Sequence, residues 1–256
     1  MFHMRKSRVL RKIRNGETAF SVKLNYADPR IAEVAAMNGF DCIWIDLEHV
    51  PNDYQVTENI IRAAKIYDCD VLTRVSKGGY NDFIRPLEAD STGIMVPHLM
   101  SYKEAKEIVY FTKFHPIGRR PIDGGNADGA WCQIAVADYI KEANEERFVV
   151  VQIEDPEPMA ELEEICQLPG IDMIFFGPAD YSQGIGRPTE VFNEQTLAAR
   201  RKVAETARKY GKMAGTVGSP ATYKQLEEEG FNFINLGSDV GILKSGFPNM
   251  INAVKG

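Results

Sequence analysis

Gln152 and Glu154 stand two residues apart in an otherwise apolar run, Phe148–Glu154, so both face one side of any strand that the run forms. A second acid, Asp180, follows Phe176-Gly177-Pro178-Ala179 at the end of the next β-rich run. Presented from neighbouring strand ends, Glu154 and Asp180 could share one cation. Two carboxylates completed by water and substrate oxygens suit a hard divalent ion such as Mg²⁺ or Mn²⁺. Taken alone, Asp180 would be explained equally well as a helix N-cap.

The same pattern recurs upstream. One run ends in Asp46, with Glu48 and His49 just beyond, and the next ends in Arg74. A histidine beside two carboxylates can have its ring oriented and its basicity tuned, which makes His49 a candidate general base against the plainer reading of a structural histidine. Arg74 closes the stretch Val71-Leu72-Thr73 and needs an anionic partner if buried. A substrate carboxylate or keto oxygen would serve, because the guanidinium is a planar fork of donors. A pair with Asp46 or Glu48 would serve as well, and the two are not exclusive. At Gly177-Pro178-Ala179 a tight turn meets a helix start, where free backbone N–H groups attract anions. Gly177 and Ala179 leave room for a carboxylate to approach, and Ser182 adds a hydroxyl.

Residues so placed need strands that all end at one face. Eight β-rich runs, Phe20–Asn25, Cys42–Asp46, Val71–Val75, Gly93–Val96, Phe148–Glu154, Met173–Phe176, Met213–Thr216 and Phe233–Leu236, alternate with helical patterns such as Pro29–Asn38, Asp53–Ile66 and Asn193–Tyr210. Strict alternation implies parallel pairing with right-handed crossovers. Eight units in 256 residues predict a single (β/α)₈ TIM barrel over 1–256, whose active site lies at the C-terminal strand ends. An open doubly wound sheet competes, but no G-x-G-x-x-G follows the first strand. The stretch His115–Trp131 is the one long irregular connection, and such loops are usually functional.

Composition narrows the class. Hydrophobic residues make up 44% and charged residues 26%, as in ordinary globular proteins, and no apolar run is long enough for a membrane span. The net charge of −6 argues against a nucleic-acid partner. All six charges of residues 1–14 are basic, leaving −12 for the rest. Val9, Leu10 and Ile13 make this leader read as an amphipathic helix at about 5–15 rather than a targeting signal. Cys42, Cys69, Cys132 and Cys166 are scattered, which suggests reduced thiols in the cytoplasm and a poor zinc site.

With these residues in view the chain resembles the HpcH/HpaI aldolases. The resemblance runs from about residue 10 to the C-terminus, through Ile45-Asp46-Leu47-Glu48-His49-Val50-Pro51-Asn52-Asp53, Arg74, Gly93-Ile94-Met95-Val96-Pro97, Gln152-Ile153-Glu154 and Phe176-Gly177-Pro178-Ala179-Asp180-Tyr181-Ser182. It implies a class II pyruvate aldolase that cleaves a 4-hydroxy-2-keto acid to pyruvate and an aldehyde through a metal-stabilised enolate. Glu154 and Asp180 would hold Mg²⁺ or Mn²⁺, with Co²⁺ a third candidate. Gln152, Arg74, Gly177 and Ala179 would surround the pyruvate part, His49 would act as base through a water, and Asp46 would steady that region. The resemblance also implies a last helix exchanged between subunits, in a homo-oligomer whose dimers assemble into a hexamer, a trimer of dimers.

The chain departs from the family pattern at four places. Leu47 replaces a usual Gly, Glu88 stands where an Asp often partners the histidine, and Pro121 follows Gly118-x-Arg120 where Gly is usual. Lys23 lies on the first strand where relatives often carry an apolar residue, so Lys23 or Arg120 is a candidate to recognise an acidic or polar aldehyde. Three readings compete: a decarboxylase or other carbon–carbon lyase on the same site, a non-catalytic keto-acid binder, and a phosphate-handling isomerase. Gly215-Thr216-Val217-Gly218 and Gly237-Ser238 give the isomerase only a weak phosphate loop.

Overall fold

The computed structural model describes residues 2–26 and 28–255. In chain order the elements are α1 (Arg8–Arg14), β1 (Ala19–Leu24), α2 (Pro29–Met37), β2 (Cys42–Asp46), α3 (Tyr54–Lys65), β3 (Asp70–Arg74), α4 (Tyr80–Glu88) and β4 (Gly93–Val96). Then come α5 (Tyr102–Thr112), α6 (Val136–Glu146), β5 (Phe148–Ile153), α7 (Leu162–Gln167), β6 (Met173–Phe176), α8 (Pro178–Gly184) and α9 (Glu194–Lys209). The chain finishes with β7 (Met213–Val217), α10 (Tyr223–Glu228), β8 (Phe233–Ser238) and α11 (Asp239–Lys255). Every strand pairs in parallel with the next, and β8 pairs with β1, closing the eight-stranded (β/α)₈ barrel that the alternation predicts.

Strand alternation sorts the side chains into two sets. Ala19, Cys42, Trp44, Leu72, Met95, Phe148, Val150, Met173, Phe175, Met213 and Phe233 pack together inside the barrel. The intervening residues, such as Ile43, Ile45 and Val71, pack outward against α2 and α3, and Ile94, Val149, Val151 and Ile174 pack outward among the later helices. The inside rows therefore end, at the C-terminal rim, in Lys23, Asp46, Arg74, Glu154, Gly177 and Val217.

The opposite, N-terminal end is stoppered by α1. Val9 joins the inside cluster with Leu10 and Ile13 packed against it, while the basic face pairs with acids around the rim. Arg8 and Lys12 reach Asp41 at 2.9 and 2.8 Å, and Arg5 and Ser7 reach Asp70 at 2.8 and 2.6 Å. Arg11 and Arg14 add pairs with Asp68 and Glu146, so five of the six basic side chains of the leader meet acids at the base of the barrel.

Element α11 behaves differently. Asp239 at its start accepts the N–H groups of Asn25 and Tyr26 at 3.0 and 2.9 Å and is the only buried residue of the helix. Ile242, Phe247, Met250, Ile251 and Val254 are all exposed. No helix among the described residues is long and apolar enough to cross a membrane.

Candidate active site

Five strand ends meet at the C-terminal rim. Asp46, last residue of β2, is fully buried and accepts two parallel hydrogen bonds from Arg74 of β3, from Nε at 3.0 Å and Nη2 at 2.6 Å. Register forces this contact, because Asp46 and Arg74 are direct partners across β2 and β3. Lys23 of β1 adds a third bond to Asp46 at 2.7 Å. Both cations lie over the Trp44 ring, Arg74 at 5.1 Å and Lys23 at 5.5 Å from its centroid. Burial opposes ionisation of Asp46, but the hydrogen bonds and charge of Arg74 and Lys23 outweigh it and hold the carboxyl well below the usual range. Asp46 also turns the chain, accepting the Glu48 N–H at 3.0 Å and the His49 N–H at 3.5 Å.

Across the rim, Glu154 is gripped from two sides. Gln152 donates Nε2 to its Oε2 at 2.8 Å, as their common strand face requires, and the His98 N–H reaches Oε1 at 2.8 Å. Gly177 allows the carboxylate its place: a methyl group there would lie 2.6 Å from Glu154 Oε2 and 2.8 Å from its Cβ. Burial pushes the Glu154 carboxyl up to about 7; the His98 N–H and charge oppose this, and the Asp180 carboxylate adds to it. Asp180 is in the first turn of α8 and half-buried.

Glu48 bridges the two halves. Its carboxylate lies 3.2 Å from Arg74 Nε, 3.5 Å from His49 Nε2 and 3.8 Å from His98 Nε2. The His49 ring is 56% exposed and open to the mouth of the barrel. Among the described residues two buried side-chain oxygens are left without a hydrogen-bond donor, Gln152 Oε1 and Glu48 Oε2, although Arg74 offers charge to the latter. Buried carbonyl and carboxylate oxygens without donors are the atoms that a cation satisfies.

The candidates do not all gather here. Asp46, Arg74, Gln152, Glu154, Gly177, Ala179, Asp180 and His49 belong to the C-terminal rim, and Lys23 joins them bound to Asp46 rather than free. Ser182 is a correction: its hydroxyl is fully buried and donates to the Ala179 carbonyl at 2.8 Å, bonding back into its own helix instead of facing a ligand. Glu88 and Arg120 are corrections as well. Helix α4 runs back down the outside of the barrel, so its last residue, Glu88, ends at the N-terminal side, where its carbonyl accepts the Asp128 N–H at 3.2 Å. Arg120 is buried in the same region, bonded to Asp128 Oδ2 at 2.8 Å and Tyr139 Oη at 3.0 Å, with its guanidinium over Phe114. Asp128 in turn holds Arg147, the residue before β5, at 2.7 Å. Within one chain neither Glu88 nor Arg120 reaches His49.

His98 was not singled out from the sequence. The fourth β-rich run ends at Val96 without an ionisable residue, and the signal lay two residues later. His98 adopts a left-handed backbone, φ 49°, which aims its N–H at Glu154, and its Nδ1 lies 2.8 Å from Asp155 Oδ2. A non-glycine residue in that region is held there by its surroundings. Burial lowers the affinity of its ring for a proton, but the bond to Asp155 and the charges of Glu154, Asp155 and Glu48 prevail and raise it.

Comparison with known proteins gives the family. The family model described as HpcH/HpaI aldolase/citrate lyase matches residues 22–245. A 2-keto-3-deoxy-L-rhamnonate aldolase of Klebsiella pneumoniae is 30% identical over 231 residues, covering 90% of this chain and 86% of that protein. An HpcH/HpaI aldolase/citrate lyase family protein from Burkholderia cenocepacia superposes with a TM-score of 0.90 at 26% identity, covering 98% of this chain and all of the other. The citrate synthase SbnG superposes with a TM-score of 0.88 at 26% identity over 98% of this chain and 97% of its own. With a family model spanning most of its length and a curated relative matched over nine-tenths of it, this chain is a member of the HpcH/HpaI aldolase/citrate lyase family.

Proposed function

We propose that this protein is a divalent-metal-dependent aldolase that cleaves a 4-hydroxy-2-keto acid to pyruvate and an aldehyde. As a member of its family it is a carbon–carbon lyase of the aldehyde-lyase type, and class II aldolases of this family generally use a divalent ion. The single observation that carries the substrate reading is the pairing of a clamped, buried Glu154 beside a donorless Gln152 carbonyl with the Arg74 guanidinium across the same rim.

That donor set fits a hard cation. Glu154 and Asp180 supply two carboxylates, the Gln152 carbonyl oxygen is free, and among the described residues no third acid, histidine or cysteine completes a closed cage. An open site filled by water and substrate oxygens is the expected form for Mg²⁺ or Mn²⁺, with Co²⁺ the next candidate. When bound, such an ion supplies positive charge against the carboxylate and 2-keto oxygens of the substrate.

The side chains do the rest. Arg74 has Nε and Nη2 committed to Asp46, so Nη1 is left for the keto oxygen, where negative charge grows as the C3–C4 bond breaks. His49, through a water, takes the proton of the C4 hydroxyl; the C4 oxygen becomes the aldehyde carbonyl and the bond electrons pass to C3. Protonation at C3 then gives pyruvate. Asp46 keeps the Arg74 fork and the Glu48–His49 turn in place. Gly177 and Ala179 leave the space that the pyruvate carboxylate occupies.

Pyruvate release from a panel of 4-hydroxy-2-keto acids, measured with and without chelator, tests this reading. Release that needs the ion and returns on adding Mg²⁺ or Mn²⁺ is expected; release that survives complete metal removal overturns it. The reading extends to assembly. The exposed apolar residues of α11, each worth about 1.5–3 kcal/mol once covered, fit exchange onto a second copy, in dimers that build a hexamer. The four thiols, all unpaired, suit the cytoplasm.

A further inference from the structure

The strands themselves bring charge to one side of the barrel mouth. The inside rows of β1, β2, β3 and β5 finish in Lys23, Asp46, Arg74 and Glu154, whereas those of β6 and β7 finish in Gly177 and Val217, with Asp180 following β6 in the first turn of α8. Beyond Asp180 on this side a cavity of about 570 Å³ opens next to Val217, which is 39% exposed. Pro178 and Ala179 of α8 form one wall, Leu197 of α9 and Leu226 of α10 another, and Phe192, 75% exposed, stands at the rim. Such a volume is in the range of pockets that hold drug-sized ligands and far exceeds what a three-carbon acid needs.

The cavity offers nothing to a charged guest. Its one ionised wall residue, Arg200, is closed by two hydrogen bonds to Glu229, at 2.9 and 2.7 Å. The hydroxyls of Ser219 and Thr222 bond to each other at 3.0 Å. The two cations expected to greet an acidic acceptor are engaged elsewhere, Lys23 with Asp46 and Arg120 with Asp128. The cavity borders the site, since Ala179 and Val217 of the rim line it and Asp180 follows Ala179 in the same helical turn.

We propose that this cavity is the aldehyde subsite and that it takes an apolar tail, so that the substrate is a 4-hydroxy-2-keto acid whose chain beyond C4 is alkyl or aryl rather than sugar-like or carboxylated. The proposal rests on the aldolase reading. Leaving C4 at the rim, the tail passes Ala179 and Val217 and packs under Phe192.

Condensation of pyruvate with the straight-chain aldehydes from propanal to octanal, with glyoxylate and glyceraldehyde alongside, tests the idea on the Mg²⁺-loaded protein. Each methylene that enters the cavity raises kcat/KM about fourfold until the cavity is full. Leu197→Trp, which fills the space, flattens that slope and leaves propanal within about twofold of the parent. Phe192→Ala, at an exposed position that cannot unfold the barrel, lowers only the longest members. It decides the matter if Leu197→Trp loses propanal too.

A flat series in the parent, a preference for glyoxylate, or a slope that both variants leave intact overturns the proposal while leaving the aldolase reading standing. A flat series together with a changed oligomeric state in Phe192→Ala assigns the cavity to a second copy and overturns it also. Absence of ion-dependent condensation or cleavage with every compound removes the aldolase reading and the subsite with it.

Discussion

Asp46 holds Arg74 by both ends of its fork, Nε at 3.0 Å and Nη2 at 2.6 Å, and does so where no solvent competes. Removing one partner of a buried pair leaves the other charge without compensation, at a cost of about 3–5 kcal/mol. Asp46→Asn should therefore lower stability by about that amount, read from urea midpoints, and reduce kcat/KM for pyruvate release between about ten- and a hundredfold, as losses of supporting groups do. Arg74→Lys tests the geometry separately. A lysine keeps the charge but cannot engage both oxygens, so a variant with unchanged kcat would show that the fork is not needed.

Two acids of the rim, Asp46 and Glu154, respond to pH in opposite directions. Asp46 has its folded pKa lowered, so the stability that it contributes is present above the ordinary aspartate range and is lost as pH falls through the folded value. Glu154 has its folded value raised from 4.5 to about 7, chiefly by burial. Between those two values the metal-free folded protein keeps a proton that the unfolded chain has given up. Its stability therefore declines as pH rises across that window and levels off above it. Ion binding favours the carboxylate, so Mg²⁺ or Mn²⁺ should release close to one proton at about pH 6 and almost none above about pH 8. Calorimetry in buffers of different ionisation enthalpy counts the protons, and equal release at both pH values would remove Glu154 from the ligand set.

Gly177→Ala probes the same carboxylate by collision. The backbone there, φ −99° and ψ 94°, is open to alanine, so strain is not the issue. The added methyl instead meets Glu154 Oε2 at 2.6 Å and forces the acid aside. Ion affinity should fall by more than about tenfold, visible as a smaller rise of Tm on adding Mn²⁺. An undiminished rise would mean that Glu154 can move without cost to the ion.

Features that depend on local pattern were legible in the sequence, and features that depend on distant contacts were not. The eight strands were readable because each is a short apolar run between helical patterns, and the shared face of Gln152 and Glu154 follows from a spacing of two. Helix α4 was hidden by Pro86 inside it, whereas the start of α8 was legible in the turn at Gly177-Pro178-Ala179. The bond of Lys23 to Asp46 spans two strands and could be inferred only once β1 and β2 were in register. Glu88 and Arg120 were carried over by position in the chain, and only the downward course of α4 and the buried Asp128 show that they end at the other face. His98 escaped because its role lies in a main-chain N–H and a left-handed φ, which a residue name does not carry.

His49 and His98 can be separated by reaction rather than by rate alone. Cleavage of a 4-hydroxy-2-keto acid requires removal of a hydroxyl proton, whereas decarboxylation of oxaloacetate does not, though both leave negative charge on the pyruvate fragment. His49→Ala should slow cleavage by about 10²–10⁴-fold and spare decarboxylation. In His98→Ala the N–H that holds Glu154 survives, so decarboxylation should stay near the parent rate and ion affinity should change little. Gln152→Leu, by contrast, removes a side-chain donor from Glu154 and an oxygen from the candidate ion site, and should weaken both reactions together. Equal losses in both reactions for His49→Ala would mean that it supports the site as Gln152 does, and the hydroxyl proton would then have to leave by way of Glu48 or the His98 ring.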